Sequence, residues 1–229
     1  MVASMNILAI ETATTACAIG LATSDGERLS LVVNDDRHHT ESLVPGIREL
    51  LASVDLGAKS LDRIVVDRGP GLYTGLRVGL ATAVGLALAA DCDLVGVTSL
   101  EVLAAGAHRA GVRGQLLAAV DGRRGEVFVQ SFQLGDAVAT SSEPSVERPA
   151  DVIAQWASCG DVTVTGDGVA RYGDQFHSLA TMTIFEQSVP PPLEAIEVGA
   201  SRLPESDIVP LYLREPDAVP NFTTRERPA

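Results

Sequence analysis

Lysine is all but missing. Lys59 is the only one, and every other cation among the 17 Lys and Arg is an arginine. With so much alanine, glycine and valine alongside, this bias reports a GC-rich genome rather than a function. Positive charge is scarce altogether: 30 acids leave a formal net charge of −13 and a pI near 4.6. Phosphate backbones are gripped by clustered Lys and Arg, so a chain that holds nucleic acid by itself is excluded, and any RNA has to be held by a partner. The cysteines, Cys17, Cys92 and Cys159, are odd in number, far apart and never in a C-x-x-C pair. A disulfide framework and a thiolate zinc site therefore lack support, and the thiols read as reduced and mostly buried. His38, His39, His108 and His177 form neither H-x-x-x-H nor H-E-x-x-H, so no metal is expected. MVASMN has no cationic n-region and leads into no cleavable h-region, and no apolar run is expected to cross a bilayer. The reading is a cytoplasmic protein with no membrane contact, in which MVAS is an extension before the first strand.

Apolar material is present in quantity. The 229 residues are 46% hydrophobic and 21% charged, with mean hydropathy +0.20, enough for one large or two small packed cores. ILAIETATTACAIGLA (7–22) begins as an apolar strand ending on Glu11, passes a Thr/Ala turn and resumes as a strand from Ala16. ERLSLVVND (27–35) reads as a third strand. Leu43, Val44, Ile47, Leu50, Leu51 and Val54 then recur on one helix face over 42–54. Thr40 or Ser42 is the expected cap, Pro45 lies in or just after the first turn, and Gly57 is the stop. DRIVVD (62–67) is a short buried strand.

GPGLYTGLRVGLATAVGLALAADCDLVGV follows, in which Thr74 can cap a helix over 75–90 whose only strongly polar side chain is Arg77. A helix apolar on every side has to be covered on every side, by a core or by another chain. Gly75, Gly79, Ala83 and Ala87 form a smooth ridge at four-residue steps, beside the bulky ridge Leu76, Leu80, Val84 and Leu88. Glycine inside a helix costs up to about 1 kcal/mol relative to alanine, so the smooth ridge points to close backbone approach, either under a sheet or at an interface. The interface reading is favoured because the neighbouring helix is strongly amphipathic.

LVGV (94–97) is another strand, and TSLE (98–101) is a capping box opening a helix to about Arg109. The order so far is that of an α/β layer with some antiparallel strands. The opening pattern then recurs in QLLAAVDGRRGEVFVQSF (115–132), where Asp121 matches Glu11. Two hairpins roughly 110 residues apart indicate two lobes of common design. SSEPSVERP (141–149) reads as loop, ADVIAQWA as a short helix, VTVTGDG (162–168) as strand and glycine turn, VARYGDQFH as a helix start, and PPPLEAIEVGASRL (190–203) as a Pro-led helix. The expected division is a first lobe over 1–103, a second over 104–215 whose last helix (about 193–203) can pack back on the first, and a disordered tail over 216–229.

A phosphate-binding hairpin needs backbone N–H groups turned toward the anion, usually with glycine to allow close approach. The first turn, Thr12-Ala13-Thr14-Thr15, has no glycine; the second has Gly122 and Gly125 around Arg123 and Arg124, which can meet an anion but in a hairpin tip are more often solvated. Gly166 and Gly168 can line an adenine pocket, on weak evidence. GPGLYTGLR lacks the lysine of a P-loop, so anion binding at Gly71–Thr74 would be only the non-specific kind any helix N-terminus offers. No G-x-S-x-G serine or spaced Cys/His pair supplies a nucleophile. Glu11, Thr12, Asp121, Gly166 and Gly168 thus read as degenerate remnants of a nucleotide site, with no catalytic residue and no cofactor.

ILAIETATTACAIGLA, HTESLVPGIRELL, GPGLYTGLRVGLATAVGLAL, VGVTSLEVLA, AAVDGRRGEVFVQ and PLYLREPDA together resemble the bacterial TsaB (YeaZ) family over about residues 6–218, the Gly69–Arg77 segment most specifically. The resemblance implies a two-lobed α/β fold of the actin/Hsp70/sugar-kinase (ASKHA) superfamily, each lobe a mixed sheet with flanking helices. It also implies a non-catalytic subunit that partners the paralogue TsaD and the ATPase TsaE. That complex moves a threonylcarbamoyl group onto the adenosine 3′ of the anticodon in tRNAs reading codons that begin with A, and TsaD carries the metal and most of the tRNA contact. His39 corresponds to one metal ligand of that paralogue, but Leu43 stands at the second. Asp67-Arg68 and Leu72-Tyr73 depart from the family pattern, in which small or apolar residues and Ser-Phe are usual.

The family pairs through the helices at 42–54 and 75–90, and the same surface self-pairs as a homodimer in the partner's absence. The implied interface is Leu43, Ile47, Leu50, Leu51, Val54, Gly75, Leu76, Gly79, Leu80, Ala83 and Ala87. A glycoprotease-like peptidase and a stand-alone ATP-dependent small-molecule kinase are the lesser alternatives. On the interface reading, Gly79→Leu weakens pairing with the paralogue and leaves the isolated fold intact.

Overall fold

The opening hairpin forms where its two apolar runs predict it. β1 (Ile7–Glu11) pairs antiparallel with β2 (Cys17–Ala22), and every residue of both strands is buried. The structure, a computed structural model, describes residues 5–34 and 39–214; the MVAS start, His38 and the tail over 216–229 lie outside them. β3 (Arg28–Val33) extends the hairpin, while β4 (Arg63–Asp67) runs parallel to the other side of β1 and β5 (Asp93–Val97) parallel to β4, giving the order β3-β2-β1-β4-β5. The inner strands read as continuous apolar runs because helices cover both faces. Leu8, Ile10, Ile19 and Ile64 pack under α1 (His39–Ala52) and α2 (Tyr73–Ala90). Ile7, Ala9 and Val65 pack against α3 (Ser99–Arg109) and α7 (Pro192–Ala200).

The second sheet repeats the plan. β6 (Gly114–Arg123) and β7 (Glu126–Leu134) make its central hairpin, β10 (Val162–Thr165) lies parallel to β6, and β11 (Met182–Ile184) lies parallel to β10. The order is β11-β10-β6-β7-β8, with β8 (Val138–Thr140) and β9 (Ser145–Glu147) both on β7. In both sheets, then, a hairpin has parallel strands on one side and antiparallel strands on the other. α3 packs Leu100 and Leu103 on one face of this sheet, and α4 (Pro149–Trp156), α5 (Asp167–Arg171) and α6 (Gly173–Phe176) close the other through Val152, Val169 and Phe176. The layers run α1 and α2, first sheet, α3 and α7, second sheet, then α4 to α6.

Several local expectations change. The 98–101 capping box is present, Thr98 and Glu101 exchanging both bonds. α1, however, starts at His39, so Pro45 is inside it, and Ser42 is buried with an unpartnered hydroxyl instead of capping. α2 starts at Tyr73 with Leu72 at the cap position, because the hairpin turn takes the Leu72 N–H, so Thr74 is helical. The 141–149 loop contains β9, and β8 and β11 are strands that three-residue lengths hide from periodicity. α3 crosses a boundary drawn at 103/104 and serves both sheets. α2, at 18 residues, is also long and apolar enough by length and composition to cross a membrane, contrary to the expectation that no run is; here one side of it packs in the first lobe.

α7, late in sequence, is drawn onto the first sheet. A Cβ at Gly199 would lie 2.6 Å from Val65, and one at Gly20 would lie 2.8 Å from the Pro192 carbonyl oxygen, so glycine at both allows the approach. Arg63, 7% exposed, donates to the Gly199, Ala200 and Arg202 carbonyl oxygens at 3.1, 2.6 and 3.2 Å and to Asp93 at 2.8 Å. It thereby satisfies carbonyls at the negative end of the helix. Arg63→Met keeps the apolar stem and removes these donors; a loss of about 2–3 kcal/mol in urea unfolding is the expected outcome.

Candidate functional site

The turn between β1 and β2 is where a nucleotide-binding fold would hold phosphate, and here the start of α2 fills it. The Thr12 hydroxyl donates to the Gly75 carbonyl oxygen at 2.8 Å, and the Leu72 N–H donates to the Ala13 carbonyl oxygen at 2.7 Å. A Cβ on Gly71 would overlap Ala13, and on Gly75 or Gly79 would overlap Thr12. The Ala13 N–H is taken by the Glu11 carboxyl at 2.7 Å. Thr12, Ala13 and Thr14 are buried; the Thr12 hydroxyl and the Ala13 N–H and carbonyl oxygen are engaged by the chain itself, while the Thr14 hydroxyl has no hydrogen-bond partner. His39 approaches the Thr14 and Ala16 carbonyl oxygens through Nε2 at 3.0 and 3.2 Å. Both partners are acceptors, so Nε2 carries the proton and cannot ligate a metal while so engaged. Leu43 is fully buried.

The second hairpin carries its own charges. Asp121, 5% exposed, meets Arg123 at 3.1 Å and Arg171 at 3.5 Å, and accepts the Arg123 N–H at 2.9 Å. Arg123 and Arg124 take left-handed φ values of 60° and 57° at the tip, beside Gly125 at 81°. Asp167 accepts the Asp121 N–H at 2.9 Å, and burial pushes its carboxyl up to about 6. Gly166 and Gly168 are explained by packing: a Cβ at either would press on the Ala119 carbonyl oxygen. Gly166 also borders an open cavity of about 500 Å³ lined by Val169, Gly173, His177, Phe185 and Gln187. Among the described residues no group of three His, Cys, Asp or Glu is placed to hold a metal.

The implied interface needs correction. Leu43, Ile47, Leu50, Leu51, Gly75, Leu76, Gly79, Leu80, Ala83 and Ala87 are buried inside this chain, and Val54 packs against the same core. The smooth ridge meets the chain's own hairpin turn and first sheet. Gly79→Leu would therefore disrupt the fold rather than leave it intact. The bulky ridge winds outward, because each four-residue step turns about 40° around the helix. Leu76 is 0% exposed, Leu80 7%, Val84 38% and Leu88 79%. Tyr73, Arg77, Ala81, Val84 and Leu88 make the outer stripe, which a reading by four-residue rows does not separate from the core. At its N-terminal end the Arg77 guanidinium lies 4.0 Å over the Tyr73 ring and donates from Nε to the Tyr212 hydroxyl at 3.2 Å, with the two tyrosine rings 5.2 Å apart.

A family model described as TsaD, tRNA N6-adenosine threonylcarbamoyltransferase, matches residues 33–180. The chain is 33% identical to the tRNA threonylcarbamoyladenosine biosynthesis protein TsaB of Escherichia coli, across 68% of this chain and 71% of that protein. An uncharacterized Mycobacterium leprae protein is 34% identical over 93% of this chain, which spans 56% of that longer relative. A Pseudomonas aeruginosa crystal structure, described as similar to peptidase YeaZ, superposes with a TM-score of 0.77 at 26% identity, covering 92% of this chain and 100% of that one. Component A of the (R)-2-hydroxyglutaryl-CoA dehydratase of Acidaminococcus fermentans shares the two-lobed ASKHA fold alone: TM-score 0.52, 13% identity, 86% of this chain and 98% of that one.

The packing at the hairpin turn makes a prediction that separates core from surface. Gly79→Ala lowers stability by about 1–2 kcal/mol, although helix propensity favours alanine by about 1 kcal/mol. Gly85, with nothing within 4 Å of an added Cβ, gains about 0.5–1 kcal/mol from the same change. In a Thr12→Ala background Gly79→Ala ceases to destabilise, which a urea double-mutant cycle checks.

Proposed function

The chain belongs to the TsaB (YeaZ) family of tRNA threonylcarbamoyladenosine biosynthesis proteins, and from that membership we propose that it is a non-catalytic scaffold subunit of a cytoplasmic tRNA-modifying complex. It binds and supports a TsaD-type catalytic paralogue, alongside a TsaE-type ATPase. That assembly places a threonylcarbamoyl group on the adenosine 3′ of the anticodon in tRNAs reading codons that begin with A. The observation that carries the reading is the outer stripe of α2, where Val84 and Leu88 stand exposed on an otherwise apolar helix. Exposed apolar side chains beside tyrosine and arginine are the composition of interface centres. Without the partner, two copies pair through the same stripe.

Three features support the scaffold role over a catalytic one. The phosphate turn is occupied by the start of α2. His39 turns a protonated nitrogen toward backbone carbonyls. Net charge −13 favours tRNA contact through the partner, leaving Arg123 to its Asp121 pair.

Leu88→Glu places a charge on the stripe where nothing of the fold is buried. The expected outcome is at least a roughly 30-fold weaker complex with the TsaD-type paralogue by calorimetry, at an unchanged thermal unfolding midpoint. Wild-type affinity in this variant would remove the α2 stripe from the interface.

A further inference from the structure

β1 and β4 lie parallel in register, Ile10 opposite Val66, so the next residues, Glu11 and Asp67, bring two carboxyls together at the strand ends. Both are buried, at 2% and 1% exposure. Glu11 Oε1 accepts the Ala13 N–H at 2.7 Å. Asp67 Oδ1 accepts the Gly69 N–H at 2.6 Å and the Ser99 hydroxyl at 3.0 Å. Asp67 Oδ2 is fully enclosed and accepts from no N–H, nor from any hydroxyl of Ser, Thr or Tyr; its neighbour is the Glu11 carboxyl. An orphaned buried acceptor beside a second acid has one simple solution, a proton on that acid.

We propose that Glu11 and Asp67 hold a single proton between them at neutral pH, Glu11 as the acid donating to Asp67 Oδ2, and that this proton-binding site latches the hairpin turn to the segment leading into α2. Each carboxyl's other oxygen holds a backbone N–H of one of those segments, Ala13 on the hairpin and Gly69 before α2. Release of the proton to solvent breaks only the Glu11 O–H bond and leaves two carboxylates in contact, which drives the segments apart. The surrounding charges do not replace it. Glu101 on α3 adds negative potential at Asp67 and is itself paired with Arg202. Arg68 is paired with Glu205, Arg77 on α2 is held by Tyr73 and Tyr212, and the His39 ring on α1 is turned to the Thr14 and Ala16 carbonyls.

Burial first, and the Asp67 charge second, push the Glu11 carboxyl well above its ordinary 4.5. A folded-state value above the unfolded one means that the native chain holds the proton more tightly. The stabilisation is complete below the unfolded value and declines as pH rises toward and through the folded one.

The experiment is carbon-detected NMR of the full chain labelled at the Glu and Asp side-chain carboxyls, titrated from acid to alkaline pH. Asp167, pushed to about 6, is largely ionised at pH 7. The expected result there is one glutamate carboxyl, that of Glu11, still at the chemical shift of a protonated acid; ionised carboxylates throughout would overturn the proposal. Urea midpoints of wild type and Glu11→Gln form the second measurement, since the amide donates to Asp67 without a titrating proton. The variant's advantage is expected to grow as pH rises above about 5, and parallel profiles would overturn the latch. Should Glu11→Gln fail to fold, the wild-type titration decides alone.

Discussion

Backbone meets backbone where α2 crosses the first hairpin turn, and that contact sets the rest. Gly71, Gly75 and Gly79 face Ala13 and Thr12 so closely that a methyl group at any of them has no room. Each helical glycine is locally unfavourable, yet together they let the helix lie directly on the turn, with the Thr12 hydroxyl and Leu72 N–H completing the hydrogen bonds. The contact fixes the rotation of α2 about its axis. Once the glycine ridge faces inward, Val84 and Leu88 have to face outward.

The same contact makes the first hairpin turn a packing site. The Thr12 hydroxyl and the Ala13 N–H and carbonyl oxygen are engaged by the chain itself, and no glycine in Thr12–Thr15 opens a path for an anion. The second lobe reaches a comparable end by other means, for Asp121 is matched by Arg123 and Arg171 and the glycines after β10 serve the seating of α5 on β6. Two sheets of one topology thus retain acids at equivalent strand ends, each enclosed by a different neighbourhood.

Between the sheets, α3 and α7 form a shared middle layer, which makes the two lobes depend on each other. Arg63 and Arg202 tie the end of α7 to the first sheet and to α3 through carbonyls and through Asp93 and Glu101. The buried Arg63 is tolerable here because several acceptors surround it, while Arg202 is half-buried. The acid pair at Glu11 and Asp67 answers the same constraint with a proton in place of a cation.

Much of this was legible in the residues. Apolar runs on either side of a turn located both hairpins, the Thr98–Glu101 box located the start of α3, and the match of Asp121 to Glu11 disclosed the repeated lobe, because these signals are local or depend on one element's own pattern. The three-residue strands β8, β9 and β11 were not legible, since pairing with β7 or β10 rather than propensity makes them strands. Sequence determined that Gly75, Gly79, Ala83 and Ala87 share a face and that α2 is apolar all round. Only the tertiary structure decided that this face belongs to the chain's own core and that the Leu88 side is left open. Periodicity states which side chains lie together on a helix; which of them meets self and which meets another molecule depends on the close approach of segments some sixty residues apart, such as Thr12 and Gly75, which no local pattern encodes.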